Sequence, residues 1–405
     1  MNERHRFIAI VQEHRWSLDG SSWGGFSTYP ISIRTSIFQE FPEDSIAQLI
    51  KSGDHIIESL EQLSLTSYKK VNNSVRRIKN KFLKNSGKMH RADLILKILR
   101  TYNPNKATIV YHQMNSFELP RDEFFLLARY YNMVLVSTLV DLQETVFPDN
   151  FEQEIIDSRN MAYRINFENS SSVLAISDFL IGQACNHLPV GRDKFLHTPL
   201  GADHVMKWIA DQSIRNRIPW DDPYVFFPAK SWRHKGHLGF LRELVSQDSN
   251  LKVVFVGNIS SINVEVEKIL KDSKVRRNVI FLDYVTDSQM RYLLENASAM
   301  VLPSSYEGFG LPYAEAALLE VPIVAFRNDA VLEMLGEDAA LLCEFGNFKQ
   351  ILSSLEKAVT TDQSLMTKKA FAQISKYTWR ETAIRTMQGY ELAMKLANEN
   401  LAEKY

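Results

Sequence analysis

The chain has 405 residues, too many for one compact core and enough for two domains of ordinary size. Apolar residues make up 45%, charged residues 23% and the net charge is -1, a globular composition with no apolar run near the roughly 18 to 20 residues that span a bilayer. The opening Met-Asn-Glu-Arg-His-Arg lacks a cleavable signal pattern, Cys185 and Cys343 lie far apart in apolar-looking segments and no His/Cys cluster has zinc spacing, so a cytoplasmic protein with free thiols, no bound metal and no nucleic-acid partner is expected.

Short β-rich runs alternate with helical patterns, which predicts parallel sheets with helices on both faces. The first strand is expected at Phe7 to Val11, followed by Trp23-Gly24-Gly25-Phe26 and a helix at Ser45 to Leu63. From Gln62 to Ala92 there is no acidic residue, while Lys69, Lys70, Arg76, Arg77, Lys79, Lys81, Lys84, Lys88 and Arg91 are basic. Val71, Val75, Ile78 and Phe82 share one helical face in that window. This basic amphipathic helix suits an anionic membrane surface; the alternative is a solvated basic face held on the domain by the same apolar stripe. Strands at Thr108 to Tyr111, Met133 to Ser137, Val173 to Ile176 and Leu196 to Pro199 complete the first half. The polar stretch Asp203 to Asp222, with Pro219, is expected to link two domains.

The second half repeats the alternation, with strands at Tyr224 to Pro228, Lys252 to Val256, Val279 to Leu282, Ala299 to Leu302, Ile323 to Phe326 and Ala340 to Cys343. Helices are expected at Asp287 to Glu295, Pro312 to Leu319, Phe348 to Val359 and Glu381 to Ala397. Between two of these strands runs Pro303-Ser304-Ser305-Tyr306-Glu307-Gly308-Phe309-Gly310-Leu311-Pro312-Tyr313-Ala314-Glu315-Ala316. Glycine lets the backbone approach a ligand, and proline suits a first helical turn, so free N–H groups near Phe309 and Gly310 face an anion with the helix dipole behind them. Glu307 just before that helix and Glu315 one turn inside it could accept hydrogen bonds from sugar hydroxyls, a layout that fits ribose, diphosphate and hexose.

Written out in full, this stretch resembles the Glu-x7-Glu signature of retaining glycosyltransferase family 4. The resemblance implies a GT-B fold: two Rossmann-like, doubly wound domains facing a cleft, here residues 1–202 and 203–380, with residues 381–405 as a helix crossing back to the first domain. It implies donor contacts at Gly308, Phe309, Gly310, Leu311 and Glu315, with Glu307 positioning the hexose. Phe227-Pro228-Ala229-Lys230-Ser231-Trp232-Arg233-His234-Lys235-Gly236-His237 is similar to the segment that supplies cations for the donor diphosphate, and Lys230 and Lys235 fall on its two key positions. Lys230 stands where an arginine is more usual.

Other matches follow in order. Thr198-Pro199-Leu200-Gly201-Ala202-Asp203 resembles the hinge into the second domain, Gly257-Asn258 and Tyr284-Val285 lie where relatives hold the nucleobase, and Gly25 belongs to the glycine pair near the donor phosphate. Val140-Asp141-Leu142-Gln143-Glu144 resembles a segment beginning His-Asp-Leu-Gln, with valine in place of the histidine that contacts the donor sugar; Asp141 is a candidate contact or a helix cap, and His112 a candidate substitute. No Asp-x-Asp metal motif is apparent. The expected activity is metal-independent, retaining transfer of a hexose from a nucleotide diphosphate sugar, GDP-mannose-like or UDP-linked, to a glycan or lipid-linked acceptor. The enzyme would be cytoplasmic or peripheral on the inner membrane face. Alternatives are a non-catalytic nucleotide-sugar-binding protein of the same fold and a nucleotide-sugar epimerase.

Overall fold

The computed structural model describes residues 8–12, 25–40, 46–52, 55–59, 108–118, 133–257, 264–271 and 273–402. The chain divides into two compact units, one of Met1–Pro199 with Arg380–Tyr405 and the other of Leu200–Trp379. The basic stretch from Lys69 to Arg91 lies outside the described residues, as do Trp23, Gly24 and Asn258. No helix among the described residues is long and apolar enough to cross a membrane.

In the first unit β1 (Ile8–Gln12), β2 (Ile46–Ser52), β3 (His55–Ser59), β4 (Ile109–Gln113), β5 (Met133–Leu139), β6 (Ser170–Ala175) and β7 (Phe195–His197) form one sheet in the order β3-β2-β1-β4-β5-β6-β7. Every pairing is parallel except β2 with β3. The helix expected over residues 45–63 is therefore corrected to a pair of strands, with Ile50 opposite Ile57. Two short apolar runs separated by Ser-Gly-Asp satisfy either period, and it is pairing of β2 to β1 that selects the extended form. β4 is buried at all five positions, as a strand covered on both faces must be.

The C-terminal helix Trp379–Ala402 packs on this unit. Thr382 Oγ1 donates to the Pro199 carbonyl at 2.8 Å and Ser172 Oγ to the Gly389 carbonyl at 2.9 Å. His112, expected as a sugar contact, is instead a core residue here: Nδ1 lies 2.8 Å from the Tyr390 hydroxyl and Nε2 2.7 Å from Thr138 Oγ1, which is 3.1 Å from the Tyr29 hydroxyl. Both ring nitrogens are thus engaged inside the first unit.

The second unit is a six-stranded, wholly parallel sheet of β8 (Tyr224–Pro228), β9 (Lys252–Val256), β10 (Val279–Leu282), β11 (Ala299–Leu302), β12 (Ile323–Phe326) and β13 (Leu341–Cys343) in the order β10-β9-β8-β11-β12-β13. Phe227 of β8, Phe240, Phe255 of β9 and Phe281 of the edge strand β10 pack ring against ring. The expected linker of residues 203–222 belongs to this unit: it folds into 3-10 turns at Asp203–Lys207 and Gln212–Arg217, buries Val205 and Ile214, and takes a hydrogen bond from Arg291 Nη1 to the Val205 carbonyl at 2.7 Å. Its polarity belongs to turn surface, while Val205, Ile214 and Ile218 are buried. The strand order reverses between β8 and β11, the kind of switch point outside whose carboxyl ends open parallel sheets bind ligands.

Burial holds the pKa of His112 down to about 3, against 6.5 for the free side chain. The unfolded chain binds a proton that the folded chain refuses between these values, so stability is full above pH 6.5 and falls as pH drops toward 3. Urea unfolding at about pH 7.5, 6 and 5 should show a midpoint that falls with pH, less steeply in His112→Gln. A flat or rising midpoint contradicts this account.

Candidate active site

The loop after β8 carries the two lysines. Lys230 Nζ sits 5.6 Å from the centre of the Trp232 ring, and among the described residues no carboxylate pairs with it. Burial pushes its pKa down, so a nearby anion would be favoured. Arg233–Lys235 form a 3-10 turn that ends at Gly236, from which the helix His237–Ser246 starts. His234 is held to about pKa 2 and His237 to about 4, in both cases by burial first and by charged neighbours such as Lys235 after it. Both rings are neutral at pH 7, and the His237 Nε2–H donates to the Ala229 carbonyl at 3.2 Å.

Gly257 ends β9 with φ 137°, and a Cβ there would lie 2.5 Å from the Ala229 oxygen and 2.9 Å from the Lys230 nitrogen. Only glycine allows this approach, which seats the Lys230 backbone against the end of β9.

The loop after β11 lies against the lysine loop. The Ser305 amide donates to the His234 carbonyl at 2.8 Å, and Lys235 Nζ donates to Glu307 Oε1 at 2.6 Å, with 15% and 9% of the two side chains exposed. Ser304, Tyr306, Glu307, Phe309 and Leu311 are buried, Gly308 half-buried, and the Phe309 ring meets Tyr377 edge-on at 5.8 Å. Gly310, at φ 95°, caps the helix Leu311–Leu318, and Pro312 lies in its first turn. Tyr313 fixes that helix under the sheet by donating its hydroxyl to the Leu302 carbonyl at 2.7 Å. Among the described residues nothing accepts a hydrogen bond from the amides of Phe309, Gly310 or Leu311. Amide donors at a helix start favour a nearby negative charge.

One turn along the helix, Glu315 Oε1 accepts from His204 Nε2 at 2.9 Å. His204 is a residue that sequence reasoning missed. The only local signal was its position next to the hinge-like motif ending at Asp203. Nearby, Asp287 is held above the usual carboxylate range by its burial and by Glu315. Tyr284 is 44% exposed and Val285 is buried, both in the loop after β10.

Three sequence candidates lie in the first unit. Gly25 opens the helix Gly25–Glu40 after β1. Asp141 Oδ1 accepts from the Gln143 amide at 2.8 Å, the capping arrangement weighed against a ligand role, and Val140 is half-buried beyond the end of β5. Glu144 next to them is buried, paired with Arg159 at 2.5 Å and raised in pKa by burial and by Asp141.

Residues 209–376 match the family described as glycosyl transferases group 1. The chain is 21% identical over 351 residues to O-antigen chain mannosyltransferase B of Escherichia coli, covering 84% of this chain and 89% of that one. Its fold is similar to sucrose-phosphate synthase from Thermosynechococcus elongatus, with a TM-score of 0.67 at 15% identity over 95% of this chain and 98% of that one. It is likewise similar to HepE of Anabaena, solved in complex with UDP and glucose, with a TM-score of 0.64 at 14% identity over 95% and 100% of the two chains.

Gly257→Ala should destabilise the second unit by more than the about 1–3 kcal/mol of backbone strain alone, because the added methyl also strikes the Ala229–Lys230 backbone. Gly336→Ala, at φ 75° with nothing within 4 Å of the new Cβ, should show the strain alone. Denaturant unfolding compares them, and equal losses would mean that Gly257 does not set the Lys230 loop.

Proposed function

We propose, on the premise that this chain is a group 1 glycosyltransferase of the GT-B class, that it moves a hexose from a nucleotide diphosphate sugar to a glycan or lipid-linked acceptor with retention at the anomeric carbon. The observation that carries this reading is the Lys235–Glu307 pair set beside the open amides of Phe309 to Leu311. A mannose donor is favoured by the likeness to an O-antigen mannosyltransferase. Solved HepE, bound to UDP and glucose, supports a nucleotide diphosphate in this kind of fold.

In this mechanism the diphosphate lies against the helix start. The bond from the anomeric carbon to the β-phosphate oxygen breaks, and the acceptor oxygen bonds to that carbon on the same face. The acceptor's proton passes to the departing phosphate oxygen. Negative charge grows on the leaving group, and Lys230, Lys235 and the amides stabilise it most at that moment. Lys235 has three N–H donors, of which Glu307 takes one, so the pair orients the ammonium and leaves it donors for phosphate. Glu307 then places the hexose and Glu315 the ribose. In this reading no step calls on a metal ion, and the positive charge is supplied by Lys230, Lys235 and the amides.

Lys235→Ala should lower kcat more than it raises the donor KM, and steady-state kinetics with GDP-mannose decides it; an effect confined to KM would make Lys235 a binding group only. Glu315→Ala should weaken GDP or UDP binding about ten- to a hundred-fold while Glu307→Gln leaves it nearly unchanged and loses transfer. Calorimetry with the free nucleotide separates the two roles, and equal weakening by both variants refutes the division. Activity should also survive a chelator; loss that is restored by added Mg2+ or Mn2+ refutes the metal-independent reading.

A further inference from the structure

Glu315 hangs on two further side chains, His204 and Trp379, that the proposed chemistry does not by itself require. The Trp379 indole N–H donates to His204 Nδ1 at 2.9 Å, and His204 Nε2 lies 2.9 Å from Glu315 Oε1. An indole nitrogen can only donate, so Nδ1 is the acceptor and the ring proton sits on Nε2, pointing at the carboxylate. Trp379 is itself fixed: it is buried, and its backbone amide donates to Asp203 Oδ1 at 2.7 Å. The His204 ring is walled by Trp208 at 5.1 Å and Trp379 at 5.8 Å between ring centres. Ala202, just before this turn, donates its amide to the Tyr377 carbonyl at 3.1 Å, which braces the turn against the segment that ends at Trp379.

A glutamate on a helix has three rotatable bonds, and fixing it on binding costs side-chain entropy. The carboxylate of Asp287, raised in pKa by burial and then by Glu315, also repels the Glu315 carboxylate and would turn it away if nothing held it. One oxygen of Glu315 is pinned by His204, while Oε2 has no protein partner among the described residues.

We propose that His204 is a positioning residue for the nucleotide: locked in one tautomer by Trp379, it holds Glu315 in the rotamer that accepts the ribose hydroxyls. The inference rests on the reading of Glu315 as the ribose acceptor. It places the specificity for a ribonucleotide in a Trp379–His204–Glu315 relay, of which Glu315 alone touches the ligand.

The test compares GDP with 2′,3′-dideoxy-GDP, and UDP with its dideoxy analogue, by calorimetry on the whole chain, following whichever base binds more tightly. Wild type should prefer the ribonucleotide by about tenfold or more, and Glu315→Gln should abolish most of that preference. His204→Ala should lose it to a similar degree with its affinity for the dideoxynucleotide unchanged. Trp379→Phe, which keeps the ring and removes the N–H, should lose part of it, and His204→Gln should recover part of what alanine loses. If His204→Ala fails to fold, Trp379→Phe and His204→Gln decide the matter.

A wild-type ribose preference that survives in the His204 and Trp379 variants but not in Glu315→Gln overturns the relay and leaves Glu315 as the ribose acceptor. Equal weakening of both nucleotides in His204→Ala makes the histidine a packing residue and likewise overturns it. No ribose preference in wild type, or no binding of GDP or UDP at all, overturns the reading of Glu315 on which the relay rests.

Discussion

A parallel strand order that reverses between β8 and β11 sends the helices after those two strands to opposite faces, because right-handed crossovers run outward on either side of the reversal, and it leaves the two loops side by side at the carboxyl ends of adjacent strands. In the second unit the loop after β8 brings Lys230 and Lys235, and the loop after β11 brings Glu307 and the start of the helix Leu311–Leu318. Their meeting follows from strand order, and the Ser305–His234 backbone bond holds it in register. With β9 on the far side of β8, Gly257 is also brought to the same end of the sheet.

The Lys235–Glu307 pair is poorly described as a source of stability. At an effective dielectric constant near 20, opposite charges about 4 Å apart attract by roughly 4 kcal/mol, and taking two nearly buried ions out of water costs several kcal/mol each. What the pair supplies is placement: each group is fixed before a ligand arrives, so less reorganisation remains for the moment of reaction. Lys230 is the complementary case, a cation whose burial lowers its pKa and whose nearest neighbour of note is an aromatic face. A negative charge nearby would offset that cost.

Buried histidines show how much context decides. His112 and His237 are held neutral by burial, yet these two and His204 serve different ends. His112 bridges β4 to the C-terminal helix through Tyr390 and to β5 through Thr138, which makes it part of the core of the first unit. His237 ties the start of its helix to the Ala229 carbonyl beneath the lysine loop. His204, with one nitrogen on an indole and the other on a carboxylate, ties Trp379 to Glu315 of the motif helix. Nothing in a lone histidine's sequence neighbourhood distinguishes these three uses.

The strands of the second unit and the glycine-rich helix start were legible from the chain because both rest on local physics. A strand covered on both faces must be a short continuous apolar run, and a helix approached closely at its N-terminus needs glycine before it and tolerates proline in its first turn. The unit's six strands, from Tyr224–Pro228 to Leu341–Cys343, accordingly fall where the apolar runs do. Residues 46–59 were not legible, since two short apolar runs suit a helix as well as a hairpin until β1 offers an edge to pair with. Nor were the partners of the key carboxylates: Glu307 meets Lys235 across 72 residues and Glu315 meets His204 across 111. The sequence by itself determined where the cations, carboxylates and glycines of the candidate site lie along the chain; the tertiary structure decided which of them are neighbours, because contacts between distant segments depend on strand order and burial, and neither is written in local periodicity.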